Sequence, residues 1–220
     1  MDEQTARAAL AEAARRTVAL GLNSGSAGNV SLRFGEGILI TPSGLPNDTL
    51  TAEQMVWMEL DGHWRGPLKP SSEWRIHRDL YRARPEVGAV VHAHSPYAVS
   101  LACLRRPIPP FHYMVAAAGG RDIPCADYAT FGTQALSDAV LTALTGRRAC
   151  LMANHGQVAV GPDVEAALAL AVEVEELAAQ FWRASLMGQP VLLTDAEMDE
   201  VLARFRDYGQ RRREARPEEG

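Results

Sequence analysis

Val87-Gly88-Ala89-Val90-Val91-His92-Ala93-His94 is an apolar run that closes on two histidines one residue apart. It reads as a buried strand, and on an extended segment residues i and i+2 point to the same side. His92 and His94 can therefore converge on one ion where the strand ends. A third histidine stands in the Asn154-His155-Gly156 turn after a second apolar run. Three imidazoles with a fourth position free are the pattern of a catalytic zinc rather than a structural one, so metal-assisted chemistry leads the reading.

Working outward, Thr5 to Leu20 places Ala6, Leu10, Ala14 and Val18 four apart, a helical stripe ended by Gly21. Val30 to Phe34 alternates like a half-buried strand, Gly35-Glu36-Gly37 turns the chain, and Ile38-Leu39-Ile40 returns. Met55 to Leu60 with the Asp61-Gly62 turn suggests another hairpin. Ser71 or Ser72 can cap a helix running to about Arg84, since Pro85 prevents continuation. Pro96 opens a helix to about Leu104, Pro107 to Pro110 is loop, and a further helix spans about Thr133 to Leu144. Cys150–Ala153 and Gln157–Val160 read as strands joined through His155. Pro162 then opens a long helix to about Met187. Thr194 with Glu197 forms a capping box for a last helix to about Tyr208. A single α/β domain follows, with no internal repeat.

The 220 residues, 47% of them hydrophobic, suffice for one well-filled core. A net charge of −5 gives no basic footprint for nucleic acid. No apolar run approaches the roughly 20 residues that span a bilayer, and the start lacks the basic region of a secretory signal, so no membrane partner and a cytoplasmic location are expected. Cys103, Cys125 and Cys150 are odd in number without C-x-x-C spacing, which predicts buried free thiols.

A small anionic substrate must be held locally. Lys69-Pro70-Ser71-Ser72-Glu73-Trp74 puts two hydroxyls and a carboxylate at a helix N-terminus, where free amides favour an anion. Gly25 to Asn29 and Thr41 to Gly44 are small-residue turns whose amides can do the same. His63 reads as surface. His77 and His112 are candidate donors behind the metal ligands, with structural roles the simpler reading.

Ser24-Gly25-Ser26-Ala27-Gly28-Asn29-Val30-Ser31, Ile40-Thr41-Pro42-Ser43-Gly44, Ser71-Ser72-Glu73, His92-Ala93-His94 and Asn154-His155-Gly156, in that order and spacing, resemble the class II aldolase/adducin family over nearly the whole chain. Phe111 to Met114, Ala118 to Gly120, Ile123 to Ala126 and Tyr128 to Thr133 are most similar to its bacterial L-fuculose-phosphate aldolase branch.

The resemblance implies a three-layer α/β/α sandwich with a central, largely antiparallel sheet over residues 1–209, followed by a charged tail at 210–220. It implies a homotetramer with sites at subunit interfaces, and one Zn2+ per subunit on His92, His94 and His155 with Glu73 as fourth ligand and acid/base. Gly28, Asn29, Ser43, Gly44, Ser71 and Ser72 match phosphate-binding positions. Tyr113 and Tyr208 match tyrosines that handle the aldehyde in a neighbour's site, and Phe131 matches a residue of the aldehyde pocket. The tail itself matches no family motif. The implied reaction is reversible cleavage of L-fuculose 1-phosphate, or a related ketose 1-phosphate, to dihydroxyacetone phosphate and L-lactaldehyde or a related aldehyde. A pentulose-5-phosphate 4-epimerase or a sugar-phosphate dehydratase are the family alternatives. A non-enzymatic adducin-like module would lack the ligands or the acid, and all four residues are present.

Overall fold

Strands β1 (Asn29–Phe34), β2 (Gly37–Ile40), β3 (Val56–Glu59), β4 (Trp64–Arg65), β5 (Ala89–Ala93), β6 (Cys125–Ala126), β7 (Ala149–Met152) and β8 (Gly156–Gly161) form one sheet in the order β4-β3-β2-β1-β5-β8-β7-β6. Every neighbouring pair is antiparallel except β6 with β7. The structure, a computed structural model, describes residues 1–207; Tyr208 and the charged tail lie outside the described residues.

Alternation along the strands divides the core in two. Leu39, Ala89, Val91, Ala93, Leu151 and Ala159 pack on one side against helices α1 (Glu3–Ala19), α3 (Pro96–Cys103) and α5 (Val164–Met187), and α6 (Asp195–Asp207) joins the same core by packing on the 3-10 helix Tyr113–Ala118. Ile38, Ile40, Val90, Cys150, Met152, Val158 and Val160 face the other way, toward α2 (Trp74–Ala83) and α4 (Gln134–Ala143). A period of two in the strands thus yields three layers, the expected α/β/α sandwich in one domain. In register, Asn29 lies opposite His92 and Ser31 opposite Val90, so the start of β1 and the end of β5 lie side by side at the centre of the sheet, under α2.

Several local expectations shift. The helix expected to be capped by Ser71 or Ser72 starts at Trp74 with Glu73 as its N-cap residue, because Ser71 Oγ accepts the Glu73 N–H at 3.3 Å rather than one from the first turn. Pro162 does not open α5; Asp163 caps it by accepting from the Ala166 N–H. Thr194 and Glu197 do form the capping box. The two-residue strand β6 and the 3-10 helix Tyr113–Ala118 were not legible from periodicity. All three cysteines are free, but only Cys150 is buried; Cys103 is exposed near the end of α3, where the apolar face points to α5 instead. Among the described residues no helix is long and apolar enough to cross a membrane.

Leu80 joins α2 to the sheet and is fully buried. Leu80→Ala should lower unfolding free energy by about 2–5 kcal/mol through lost transfer energy and an unfilled cavity. Equilibrium urea denaturation measures this, and a loss near zero would show that α2 is not a structural layer.

Candidate metal centre and anion cradle

His92 ends β5, His94 follows directly, His155 sits in the turn between β7 and β8, and Glu73 stands at the head of α2. Their ligand atoms all lie within 4.8 Å of one another. His92 Nε2 is 2.9 Å from His94 Nε2 and 3.0 Å from Glu73 Oε2, and His155 Nε2 is 3.3 Å from Glu73 Oε1. Tetrahedral bonds of about 2.0–2.1 Å to a central cation set ligand atoms roughly 3.3 Å apart, close to these separations. The three rings meet edge to face, at interplanar angles of 68°, 89° and 84°.

The tautomer of His92 follows from its partner. Nδ1 faces the carbonyl of Gln157 at 2.8 Å and must donate, which leaves Nε2 bare toward the cluster. Burial, then the facing His92, push His94 and His155 down to about 4, so both rings are neutral. Burial also opposes charge on His92, but Glu73 outweighs it and raises His92 above its ordinary value. Burial would raise the Glu73 carboxyl, yet His92, His155 and the Asn29 amide overcome that and hold it below the usual carboxylate range. Glu73 is 6% exposed, and among the described residues its Oε1 has no hydrogen-bond partner. An orphaned carboxylate oxygen beside lone pairs aimed at one another is the donor set that a divalent cation satisfies.

The turn that delivers His155 is specific. Asn154 adopts the left-handed conformation at φ 55°, tolerable for asparagine, and its side chain accepts from Arg105 Nε. At Gly156 a Cβ would lie 2.4 Å from the Ala93 carbonyl and 3.2 Å from both His92 Cε1 and His94 Cδ2.

Beside the cluster is a cavity of 180 Å³ lined by Gly28, Asn29, Ser43, Gly44, Ser71, Ser72, Glu73, His94, His155 and Phe131. Among the described residues no lysine or arginine lines it, and amides, hydroxyls and the head of α2 form its polar wall. Three loops are stitched together to make it. Ser43 N–H donates to the Lys69 carbonyl and Ser71 N–H to that of Thr41. Asn47 donates its backbone N–H to Gly25 and its side-chain amide to Ala27. Arg75 donates to the Gly132 carbonyl at 2.8 Å, which holds the Phe131 turn over Ser72.

The predicted ligands and phosphate-loop residues are thus brought together. Tyr113 is not: it is 51% exposed and does not line the cavity. Tyr208 lies outside the described residues. His112 accepts the Met114 N–H and caps the 3-10 helix rather than backing a ligand. His63 is exposed, paired with Asp61 at 3.0 Å. Reasoning from sequence missed Asn47 and Asn23. Asn23 accepts the His94 N–H at 2.9 Å and fills the space where a Gly28 Cβ would stand, and its place just before the glycine-rich turn was the available signal.

A family model described as "Class II Aldolase and Adducin N-terminal domain" matches residues 8–182. A 5-methylthioribulose-1-phosphate/5-deoxyribulose-1-phosphate aldolase of Rhodospirillum rubrum is 55% identical over 92% of this chain and 92% of its own. An L-fuculose phosphate aldolase of Escherichia coli is 49% identical over 87% and 90%. A solved L-fuculose 1-phosphate aldolase superposes with a TM-score of 0.89 at 37% identity, covering 92% of this chain and 96% of that one.

Gly156→Ala should push the new methyl against the Ala93 carbonyl and two imidazoles and weaken divalent metal binding by about tenfold or more, the scale of a disturbed ligand shell. Titration against a chromophoric chelator reads this, with circular dichroism to show that the sheet persists. Unchanged affinity in the folded variant would mean the turn has slack.

Proposed function

From the premise that the chain belongs to the class II aldolase and adducin family, we propose that it is a metal-dependent aldolase reversibly cleaving a ketose 1-phosphate to dihydroxyacetone phosphate and an aldehyde. The observation that carries this reading is the meeting of two features: converging ligand atoms with an orphaned carboxylate oxygen, and an amide- and hydroxyl-lined cavity beside them. His92, His94 and His155 hold the cation, with Glu73 as fourth ligand in the resting site. Zinc suits three neutral imidazoles and a carboxylate, one ion per chain. When bound, the cation supplies a Lewis acid that offsets negative charge building on the hydroxyketone oxygens as the carbon–carbon bond breaks.

The rest of the chemistry belongs to the chain. Gly28, Asn29, Ser43, Gly44, Ser71 and Ser72 hold the phosphate and so place the reacting carbons beside Glu73, an orientation effect. In the synthetic direction Glu73 takes a proton from the hydroxymethyl carbon of dihydroxyacetone phosphate, and in cleavage returns it. No Schiff base is needed, and the only lysine in the sequence, Lys69, gives its carbonyl to Ser43. Tyr113 acts from a neighbouring copy in a homotetramer, donating to the alkoxide oxygen of the aldehyde half. Tyr208 serves the same half and Phe131 walls it.

The motifs favour L-fuculose 1-phosphate, whereas the 55% identical relative is named for 5-methylthioribulose and 5-deoxyribulose 1-phosphates. These substrates share the dihydroxyacetone phosphate half and end in a methyl or methylthio group. We therefore widen the proposed class to ketose 1-phosphates with an apolar terminus, a chemistry that the exposed Phe131 ring at the cavity suits.

Each of the three sugar phosphates, and L-ribulose 5-phosphate as an epimerase control, can be incubated with zinc-loaded protein in a coupled triose-phosphate assay. Dihydroxyacetone phosphate from at least one of the three and no epimer from the fourth is expected; the absence of triose phosphate from all of them overturns the proposal. Glu73→Gln should lower turnover about 10²–10⁴-fold, the worth of a general base, while retaining inhibition by inorganic phosphate. Chelation should abolish activity and zinc restore it; full turnover in protein shown to be metal-free would sink the metal assignment.

A further inference from the structure

Under the site runs a buried row of polar side chains that the chemistry above uses only at its end. Along a strand every second residue shares a face, and along a helix every fourth returns to one. Asn29, Ser31 and Arg33 of β1 accordingly stand opposite Glu73, His77 and Tyr81 of α2, and the two rows interleave. Asn29 Nδ2 donates to Glu73 Oε2 at 3.1 Å, and Asn29 Oδ1 meets His77 Nε2 at 2.5 Å. His77 Nδ1 meets Ser31 Oγ at 2.6 Å, and Ser31 Oγ meets the Tyr81 hydroxyl at 2.9 Å. The Arg33 guanidinium covers the Tyr81 ring. Ser31 and His77 are wholly buried and Tyr81 is 2% exposed.

The direction of every hydrogen bond in this row follows from its two ends. A carboxylate only accepts, so Asn29 must turn its NH2 to Glu73 and its carbonyl oxygen to His77. That oxygen also only accepts, so His77 carries a proton on Nε2. Burial, with the nearby His92, pushes His77 down to about 3, so the ring is neutral and Nδ1 is bare. Nδ1 must then accept from Ser31, whose oxygen accepts from Tyr81. Burial raises the Tyr81 hydroxyl above its ordinary value, and it stays a donor.

We propose that His77, Ser31 and Tyr81 are positioning residues, a one-way row of donors that fixes the Asn29 amide with its NH2 on Glu73 and so holds the proton-carrying carboxylate in place. Bonds aligned in one sense polarise one another, which strengthens the last link to Glu73. A second consequence concerns Asn29. Its oxygen is taken by His77 and one of its two N–H groups by Glu73, which leaves the other N–H for the phosphate cradle that the residue lines. Disturbing the row should therefore lower kcat far more than it weakens phosphate recognition, which is shared with Gly28, Ser43, Gly44, Ser71 and Ser72. The inference rests on Glu73 as the proton carrier, but the ring tautomer of His77 can be read without any substrate.

Zinc-loaded enzyme with 15N-labelled histidine, examined by long-range 15N–1H correlation at neutral pH, should show His77 as a neutral ring protonated on Nε2. Its signals are assigned by their loss in His77→Gln. A ring protonated on Nδ1, or on both nitrogens, overturns the proposal. In the aldolase assay, His77→Leu should lose about 10–100-fold in kcat, the usual scale for a group supporting an active-site shell. Its zinc content should match the parent, and its KM and inhibition constant for inorganic phosphate should change far less than kcat. His77→Gln, which restores an N–H toward Asn29, should recover part of that loss. Folded His77→Leu with unchanged kcat, or with only KM and phosphate inhibition altered, also overturns it. If the parent cleaves none of the three sugar phosphates while His77 carries its proton on Nε2, the proposed reaction fails and the ordering of the row stands.

Discussion

A carboxylate buried with one oxygen unpartnered sets the terms for the rest of the site. Glu73 stands at the head of α2, almost inaccessible to water, with Oε2 against Asn29 and His92 and Oε1 facing His155. Removing an ionised carboxylate from water is expensive unless opposite charge compensates it. Imidazoles supply that charge poorly, because gathering three of them in one buried place penalises a proton on any beyond the first. Glu73 raises His92, while burial and the facing His92 drive His94 and His155 down. A divalent cation removes the conflict, since it would bring two positive charges to the carboxylate and engage all three rings at once.

That arrangement depends on how the sheet meets α2. Asn29 lies opposite His92 in the β1–β5 ladder, so the strand that supplies the carboxylate's partner is hydrogen-bonded to the strand that supplies a ligand. The same ladder fixes β8, whose Gln157 carbonyl selects the His92 tautomer. Gly156 permits β8 to approach closely enough for His155 to join the other two rings, a packing that no side chain would allow. The loops are less constrained by pairing and are held instead by single asparagines, Asn23 and Asn47, which hydrogen-bond backbone groups of the metal strand and of the glycine-rich turn.

What the sequence disclosed follows the same division. Strands with apolar residues on both faces, and histidines two apart at a strand end, declare themselves because burial and pleat act on every residue in the run. The sheet's core strands, the long helices and the gathering of the three histidines were legible for that reason, whereas Glu73 joined them only through the family resemblance. Short elements were not: β6 is two residues paired in parallel to β7, and nothing in Cys125 or Ala126 marks such a bridge. The start of α2 was misread because serine normally caps a helix, whereas here Ser71 spends its oxygen on Glu73 one turn early. Residue type alone points Cys103 to the core, while the helix it ends turns Ala98, Leu101 and Ala102 inward. The link from Glu73 through His77 to Tyr81 was present as a spacing of four, but only the facing strand turns that spacing into a row of bonds.

Burial also separates what is fixed from what is free. The three imidazoles, Glu73 and the residues behind them sit in low-dielectric surroundings where an unpaired polar atom is costly, so each constrains the others. Phe131 and Tyr113 are 65% and 51% exposed, and little in this chain pins their side chains. Under the proposed reaction the buried group handles the dihydroxyacetone phosphate half, which all the candidate substrates share. The exposed aromatics handle the aldehyde half, in which those substrates differ by a hydroxyethyl, a methyl or a methylthiomethyl group. A site built this way can exchange aldehydes by altering exposed side chains while its acid, its ligands and its phosphate cradle stay as they are. Relatives named for different sugar phosphates can therefore resemble this chain almost equally well, because most of what they share lies in the buried half that does not choose among them.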